Sequence, residues 1–393
     1  MVTTLSPDRL AAMLDGDESF TLVDTRPEES YESWRVPGAI HFPFGPEEEL
    51  DGRLEEFDET VGDADRVVTI CAKGISSGNL ATQLSSATDD HEVNAVDGGM
   101  KGWSGVYETA AVDAGGDLTI VQVQRRAKGC LGYVVGCAAT GEAVVVDPTA
   151  DVEEFVVAAE EAGLTIDGVI DTHVHADHVS GGRELADRLE VPYYMGEHAA
   201  DRDVTAEFTP LAHLEVLSVG DREVKALYTP GHTSDMLSLL VDDRAVLTAD
   251  TLHAESTGRT ELEFGEVPRA LETGNGETAS NGEEGARLLY ETLQRTILTQ
   301  PEQILVLPGH VPVTAEGEFD TGTPGKPITT TIHDARTGID VLRLEEDEFV
   351  DRMADAGEKP ANFEEIIETN RGTREQPPED RVELEMGPNN CSA

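Results

Sequence analysis

The chain has 393 residues, which at about 150 per domain makes two or three domains with cores of their own and excludes a small disulfide-stapled fold. Its 79 acidic against 28 basic residues leave a formal charge of −51, a field that repels phosphate backbones and anionic lipid, so neither nucleic acid nor a membrane is an expected partner. Hydrophobic residues at 38 % place this acid on folded surfaces, and with only six lysines the composition is that expected of a halophile, whose molar salt screens the self-repulsion.

The pattern opens on a helix: Ser6 is placed as N-cap, Pro7 fits the first turn, and Leu10, Met13 and Leu14 form the apolar stripe. Short β-branched runs at 20–24, 67–71 and 93–96 alternate with polar helical stretches, which is α/β patterning. A small, glycine-containing segment at 109–117 reads as a linker, so the first domain is expected at 1–108. Strands follow at 119–123, 132–135 and 143–146, then a helix at 152–162 and a strand at 168–171. Further strands at 214–217, 224–228, 237–241, 245–248 and 304–307 exceed one doubly wound unit, so two stacked sheets are predicted over 118–313. The polar stretch 273–285 has no hydrophobic period and reads as an exposed insertion. Residues 314–393 read as a C-terminal extension packing on that domain, polar from Arg371 onward and frayed at the end. No run reaches the roughly 20 apolar residues of a membrane helix, and the start lacks a secretory pattern, so a cytoplasmic protein is expected.

Cys71, Cys130, Cys137 and Cys391 form no C-x-x-C pair, which argues against a zinc knuckle or disulfide framework. Cys71 differs from the rest. It follows a strand and precedes a helical stretch, so the amides of Ala72, Lys73, Gly74, Ile75, Ser76 and Ser77 are expected to wrap the thiol and, with the helix N-terminus, to favour a thiolate. Val23-Asp24-Thr25-Arg26 with Tyr31 and Val36-Pro37-Gly38-Ala39-Ile40-His41, the cysteine loop, and Asp97-Gly98-Gly99-Met100-Lys101-Gly102-Trp103 together resemble rhodanese-like sulfurtransferases over about residues 5–106. The resemblance implies a parallel-sheet α/β domain with Cys71 as catalytic sulfane-sulfur acceptor and the 72–77 loop as its persulfide and anion cradle. Asp24, Arg26 and Trp103 are read as structural, and Cys130 and Cys137 as packed in strands.

Thr172-His173-Val174-His175-Ala176-Asp177-His178 follows a strand and concentrates three imidazoles and a carboxylate in six positions. Pro230-Gly231-His232, Ala249-Asp250 and Pro308-Gly309-His310 each end a predicted strand. Together these motifs resemble the metallo-β-lactamase superfamily over about residues 118–313, implying an αββα sandwich with a metal centre. The other six histidines, His253 among them, are expected at the surface or in packing.

Two branches of that superfamily compete: a persulfide dioxygenase with one Fe(2+), and a two-zinc (Zn(2+)) thioester hydrolase resembling glyoxalase II. For the dioxygenase the resemblance implies His173, His232 and Asp250 as iron ligands. His175, Asp177, His178 and His310 would then orient the ligands and bound water, or serve as ligands of a second metal in the hydrolase. Gly258-Arg259-Thr260 resembles the dioxygenase motif whose arginine binds a substrate carboxylate, the competing reading being a surface arginine paired with Glu261. Phe349-Val350 with Met353, Lys359-Pro360-Ala361-Asn362-Phe363 and Ile366 to Gly372 resemble a tail of rhodanese-linked dioxygenases, expected as helices against the pocket. The favoured expectation is a persulfide dioxygenase fused to a sulfurtransferase domain, haloarchaeal in origin, acting on a small thiol persulfide with sulfite or thiosulfate as further small-molecule partners. The carrier thiol, the direction of sulfur transfer through Cys71 and a homo-oligomeric state stay open.

Overall fold

A computed structural model describes residues 3–88, 90–264, 282–354 and 359–387. The first sheet joins β1 (Thr3–Leu5), β2 (Thr21–Asp24), β3 (Ile40–His41), β4 (Arg66–Ile70) and β5 (Glu92–Val96) in the order β1-β5-β4-β2-β3, all parallel. Apolar cores lie on both faces, one around Leu10, Ile70 and Trp103, the other around Phe57, Val67 and Leu80, which is why these strands read as near-continuous hydrophobic runs. Helix Pro7–Asp15 starts as its sequence predicts, with the Ser6 hydroxyl accepting from the Arg9 amide at 3.2 Å.

Thirteen further strands form two facing sheets. One holds β6 (Tyr107–Val112), β7 (Leu118–Arg125), β8 (Cys130–Cys137), β9 (Glu142–Val146), β10 (Thr165–Ile170), β11 (Tyr193–Gly196) and β12 (Thr209–Leu211), ordered β12-β11-β10-β9-β8-β7-β6. The other runs in sequence order through β13 (Val216–Val219), β14 (Arg222–Tyr228), β15 (Leu237–Val241), β16 (Ala245–Ala249), β17 (Leu305–Pro308) and β18 (Thr330–Thr331). Ile120, Tyr133 and Val146 of the first pack on Leu239, Leu247 and Leu307 of the second. Helix Val152–Glu161 covers one outer face through Phe155, and helices Gly282–Thr292 and Glu346–Met353 cover the other through Leu289 and Phe349, completing an αββα sandwich.

Three expectations are corrected. The 109–117 linker begins as strand, at 109–112: β6 pairs antiparallel with β7 from Tyr107↔Arg125 to Val112↔Ile120, because buried Ala110 and Val112 alternate with outward-facing Thr109 and Ala111. Of the 273–285 insertion, 273–281 lie outside the described residues, while Gly282 and Gly285 are buried at the start of a helix whose apolar stripe begins there. The segment from Arg371 does not fray over its described length: it forms helix Pro378–Leu384 and buries Glu385 at 3 % exposure. Cys391 lies outside the described residues.

The turn between β7 and β8 joins the two domains. Arg126 binds Asp15 at 2.6 Å, the Ala127 carbonyl accepts from the Trp34 indole at 3.1 Å, and Arg125 Nε donates to the Ser104 carbonyl at 2.7 Å. No helix among the described residues is long and apolar enough to cross a membrane.

Candidate metal centre

Each motif residue sits just beyond a strand end, where the backbone leaves the ladder and side chains of different strands converge. His173 and His175 follow β10, His232 follows β14, Asp250 follows β16 and His310 follows β17. All are at most 3 % exposed. His173, His232 and Asp250 form one group: Asp250 Oδ2 lies 3.4 Å from His232 Nε2 and 3.9 Å from His173 Nε2.

The ring orientations follow from hydrogen bonds behind the group. His173 Nδ1 donates to the Thr172 hydroxyl at 2.9 Å, and that hydroxyl donates to Asp147 at 2.8 Å. His232 Nδ1 donates to the Arg259 carbonyl at 2.7 Å. Both rings therefore present an Nε2 lone pair to Asp250. His173 Nε2 and Asp250 Oδ2 are buried without hydrogen-bond partners, as donor atoms of a cation site are before they bind. Burial, reinforced by neighbouring His175, keeps His173 neutral well below the usual histidine range. Burial opposes the Asp250 charge, but His310 and His253 outweigh it and hold the carboxyl well below its ordinary value. Neutral imidazoles with an ionised carboxylate fit a divalent cation.

His175 falls in a different group, with Asp147 and Asp171, its Nε2 3.2 Å from Asp147. Asp177, His178 and His310 form the group next door. His310 bridges two carboxylates, with Nδ1 2.7 Å from Asp250 Oδ1 and Nε2 2.6 Å from Asp177 Oδ2. Sequence reasoning does not find four members of these clusters, Asp147 and Asp171 beside His175 among them. Cys130 joins Asp177, His178 and His310, its Sγ 3.5 Å from Asp177 Oδ2, and His253 lies 3.4 Å from Asp250. Cys130 and His253 therefore lie within the candidate metal-ligand groups. The one available signal was the position of His253, three residues after a predicted ligand.

The backbone of the histidine motif is clamped from several elements. Asp235, paired with Arg202 at 2.9 Å, accepts the Val174 amide at 2.9 Å. From the C-terminal extension, Asn370 Nδ2 donates to the carbonyls of His175 at 2.9 Å and His178 at 2.8 Å, and its oxygen accepts the Ser180 amide at 2.9 Å. Glu385 accepts the Val179 amide at 2.6 Å and pairs with buried Arg125.

Arg259 is an interior residue paired with Glu261. It is 1 % exposed, its Nε donates to Glu261 at 2.6 Å, and its main-chain carbonyl orients His232. The pairing with Glu261 named by the competing sequence reading is present, buried rather than at the surface. A cleft of about 200 Å³ reaches His253 and His310, lined also by Glu255, Ser256 and Asp320; among the described residues it has no arginine or lysine.

In the first domain the thiol of Cys71 accepts from the Gly74 amide at 3.1 Å and the Ser77 hydroxyl at 3.2 Å. Burial pushes this thiol up, but the hydroxyls of Ser76 and Ser77 and the loop amides outweigh it and hold the thiol below its ordinary value. Gly74 takes φ +82° at the start of helix Ile75–Ala87, turning the loop amides inward. Ala72 and Lys73 complete the turn, and Ser76 lies 3.1 Å from the Thr25 hydroxyl. Ile75 is 67 % exposed, an apolar residue at the loop's outer edge. Lys73 and Lys101 both reach Glu383 of the C-terminal helix, at 2.9 and 3.1 Å. Asp24 and Arg26 form a buried ion pair at 2.7 Å, a structural use of both.

Comparison with known proteins matches this division. Residues 125–310 match the metallo-beta-lactamase superfamily model and residues 6–105 the rhodanese-like domain model. The chain is thus a rhodanese-like domain joined to a domain of metallo-beta-lactamase fold. It is 36 % identical over 133 residues to a hydroxyacylglutathione hydrolase of Rhodopseudomonas palustris (strain ATCC BAA-98 / CGA009), covering 33 % of this chain and 50 % of that one. The chain therefore spans about half the length of that relative. Among solved structures, a metallo-beta-lactamase from Staphylococcus aureus subsp. aureus COL shares the fold, with TM-score 0.55, 24 % identity, and 65 % and 73 % of the two chains covered. ETHE1 from Myxococcus xanthus superposes with TM-score 0.52 at 26 % identity, over 64 % of this chain and 97 % of that one.

Proposed function

We propose that the protein oxidises a small-thiol persulfide to sulfite at a single Fe(II) held by His173, His232 and Asp250, with Cys71 carrying sulfane sulfur. The observation that carries this reading is the grouping of two imidazoles and one carboxylate, His173, His232 and Asp250, while His175 groups with Asp147 and Asp171. Such a set fills three coordination positions and leaves others for two small reactants, as non-haem iron oxygenases require. Bound there, iron would supply the redox chemistry that couples dioxygen to sulfur. The net reaction balances as persulfide plus dioxygen plus water giving thiol, sulfite and two protons, the sulfane sulfur losing four electrons to dioxygen.

The chain's own residues hold the geometry. Thr172 and the Arg259 carbonyl fix the ring tautomers, Asp235 and Asn370 fix the motif backbone, and the cleft beside His253 and His310 suits a small carrier. With Glu255 and Asp320 on its wall, that cleft favours a neutral or zwitterionic carrier over a strongly anionic one. At Cys71, a persulfide terminal sulfur attacked by sulfite would leave as thiosulfate and return the thiolate, which the loop stabilises.

A second reading, two-zinc hydrolysis of an acyl thioester, is supported by the hydroxyacylglutathione hydrolase relative and by the second donor group around His310. Anaerobic purification with metal analysis, followed by oxygen uptake with a persulfide and turnover of a thioester, separates them. Iron with persulfide-dependent oxygen uptake is expected; zinc alone with thioester cleavage and no oxygen uptake would overturn the proposal.

A further inference from the structure

We infer that Lys73 and Lys101 form an anion-recruiting pair beside the Cys71 loop, and that Glu383 of the C-terminal helix occupies this pair as a tethered competitor. A small sulfur oxyanion such as thiosulfate then reaches the pair by displacing the carboxylate. The inference rests on the sulfur-carrying reading of Cys71 and adds a control exerted by the far end of the chain. Lysine is scarce in this protein, yet three of its six, Lys73, Lys101 and Lys128, hold residues 383–387. Lys73 is the second residue after Cys71, and helix Gly99–Trp103, which carries Lys101, is stitched to the same loop. There Met100 N donates to the Cys71 carbonyl at 2.7 Å and Lys101 N to the Ala72 carbonyl at 3.0 Å. Gly99 permits this approach, since it takes φ +59° and a side chain there would overlap the Cys71 carbonyl. Both ammonium groups meet one oxygen, Glu383 Oε1, and together hold its carboxyl below the ordinary value.

Glu383 is delivered by an anchor rather than by its own contacts. Two residues on, Glu385 forms its buried pair with Arg125. Lys128 Nζ donates to the carbonyls of Glu385 at 2.7 Å and Gly387 at 2.5 Å, and Asn362 Nδ2 to that of Leu384 at 2.8 Å. The Glu383 contacts are open by contrast, with Lys73 54 % and Glu383 39 % exposed. Exposed ion pairs are weak, so an arriving anion can break them, while the anchor keeps the carboxylate at high local concentration. A dianion brings two charges where Glu383 brings one, which favours the exchange for thiosulfate. Occupation by Glu383 divides the apparent affinity for the anion by the fraction of time the pair is open, about twofold to fivefold for contacts this exposed.

The test is alkylation of Cys71 in the full chain, its thiolate displacing iodide from anionic iodoacetate or from neutral iodoacetamide, with the modified peptide identified by mass spectrometry. In Glu383→Gln the iodoacetate rate is expected to rise about twofold to fivefold at fixed ionic strength, with the iodoacetamide rate unchanged. Glu383→Ala should match it, and a Lys73→Gln, Lys101→Gln background should lose the gain. The KM for thiosulfate in sulfur transfer to cyanide should fall by the same factor in Glu383→Gln. An unchanged iodoacetate rate, an equal rise with both reagents, or a gain that survives without the two lysines overturns the inference. Absence of sulfur transfer from the wild type, with the iodoacetate response as expected, would defeat the sulfur-carrying reading and leave the competitor standing; transfer without that response would do the reverse.

Discussion

Asp250 gives one carboxylate oxygen to His310, Oδ1 to Nδ1 at 2.7 Å, and keeps the other for the group it shares with His173 and His232. One residue thus belongs to two adjoining candidate donor groups, one with His173 and His232 and one with His253 and His310. Removing its charge should damage both. In Asp250→Asn, iron content and oxygen uptake are expected to fall to background, because each of its two donor groups loses its anionic oxygen. Metal analysis of the purified variant checks this; unchanged iron would contradict the ligand assignment.

Thr172 acts on the first centre without touching a cation. Its hydroxyl accepts from His173 Nδ1 and donates to Asp147. Thr172→Val keeps the shape and removes both bonds, so iron affinity is expected to drop about 10-fold to 100-fold. Thr172→Ser should restore it. A competitive chelator titration reads the difference, which a purely structural threonine would not produce.

The thiol of Cys71 is held low by hydroxyl and amide donors that outweigh burial, so its thiolate persists at lower pH than that of a free cysteine. Ser77→Ala deletes a donor at 3.2 Å and should move the thiolate absorbance transition to higher pH. Cys71→Ser should abolish sulfur transfer from thiosulfate to cyanide and leave oxygen uptake intact. Loss of both activities would defeat the division of labour between the domains.

Glu385 joins the C-terminal extension to the metal domain through buried Arg125 and the Val179 amide. Glu385→Ala leaves a buried guanidinium unpaired, at an expected cost of about 3–5 kcal/mol. Replacing Arg125 as well, with methionine, should recover much of that loss. Urea midpoints of the two single variants and the double variant test this; a Glu385→Ala midpoint within error of wild type would mean the pair is not buried in solution.

With a formal charge of −51, the folded chain repels itself at low ionic strength. Raising salt from about 0.1 M to about 1 M shortens the screening length from about 10 Å to about 3 Å, so Tm should climb steeply over that range. A flat profile would remove the halophilic reading of the composition.

Much of the site was legible because its residues occur in dense local motifs. Three histidines and an aspartate within six positions, and Pro-Gly-His twice at strand ends, announce themselves without coordinates. Cys130 has no such neighbours: its role arises because β8 begins where β17 ends, a pairing across 180 residues. At Arg259 the Glu261 partner was legible two residues away, while its burial was not.

The sequence by itself determined the two-domain α/β plan, the thiol loop and the metal-ligand motifs, because hydrophobic period and ligand spacing are properties of short segments. Only the tertiary structure decided how the donors fall into groups, which cysteine lies beside them, and that the C-terminal segment clamps the histidine motif through Asn370 and Glu385. Those outcomes depend on where strand ends meet and which buried polar atoms find partners, and such distances are set by packing between segments far apart in the chain.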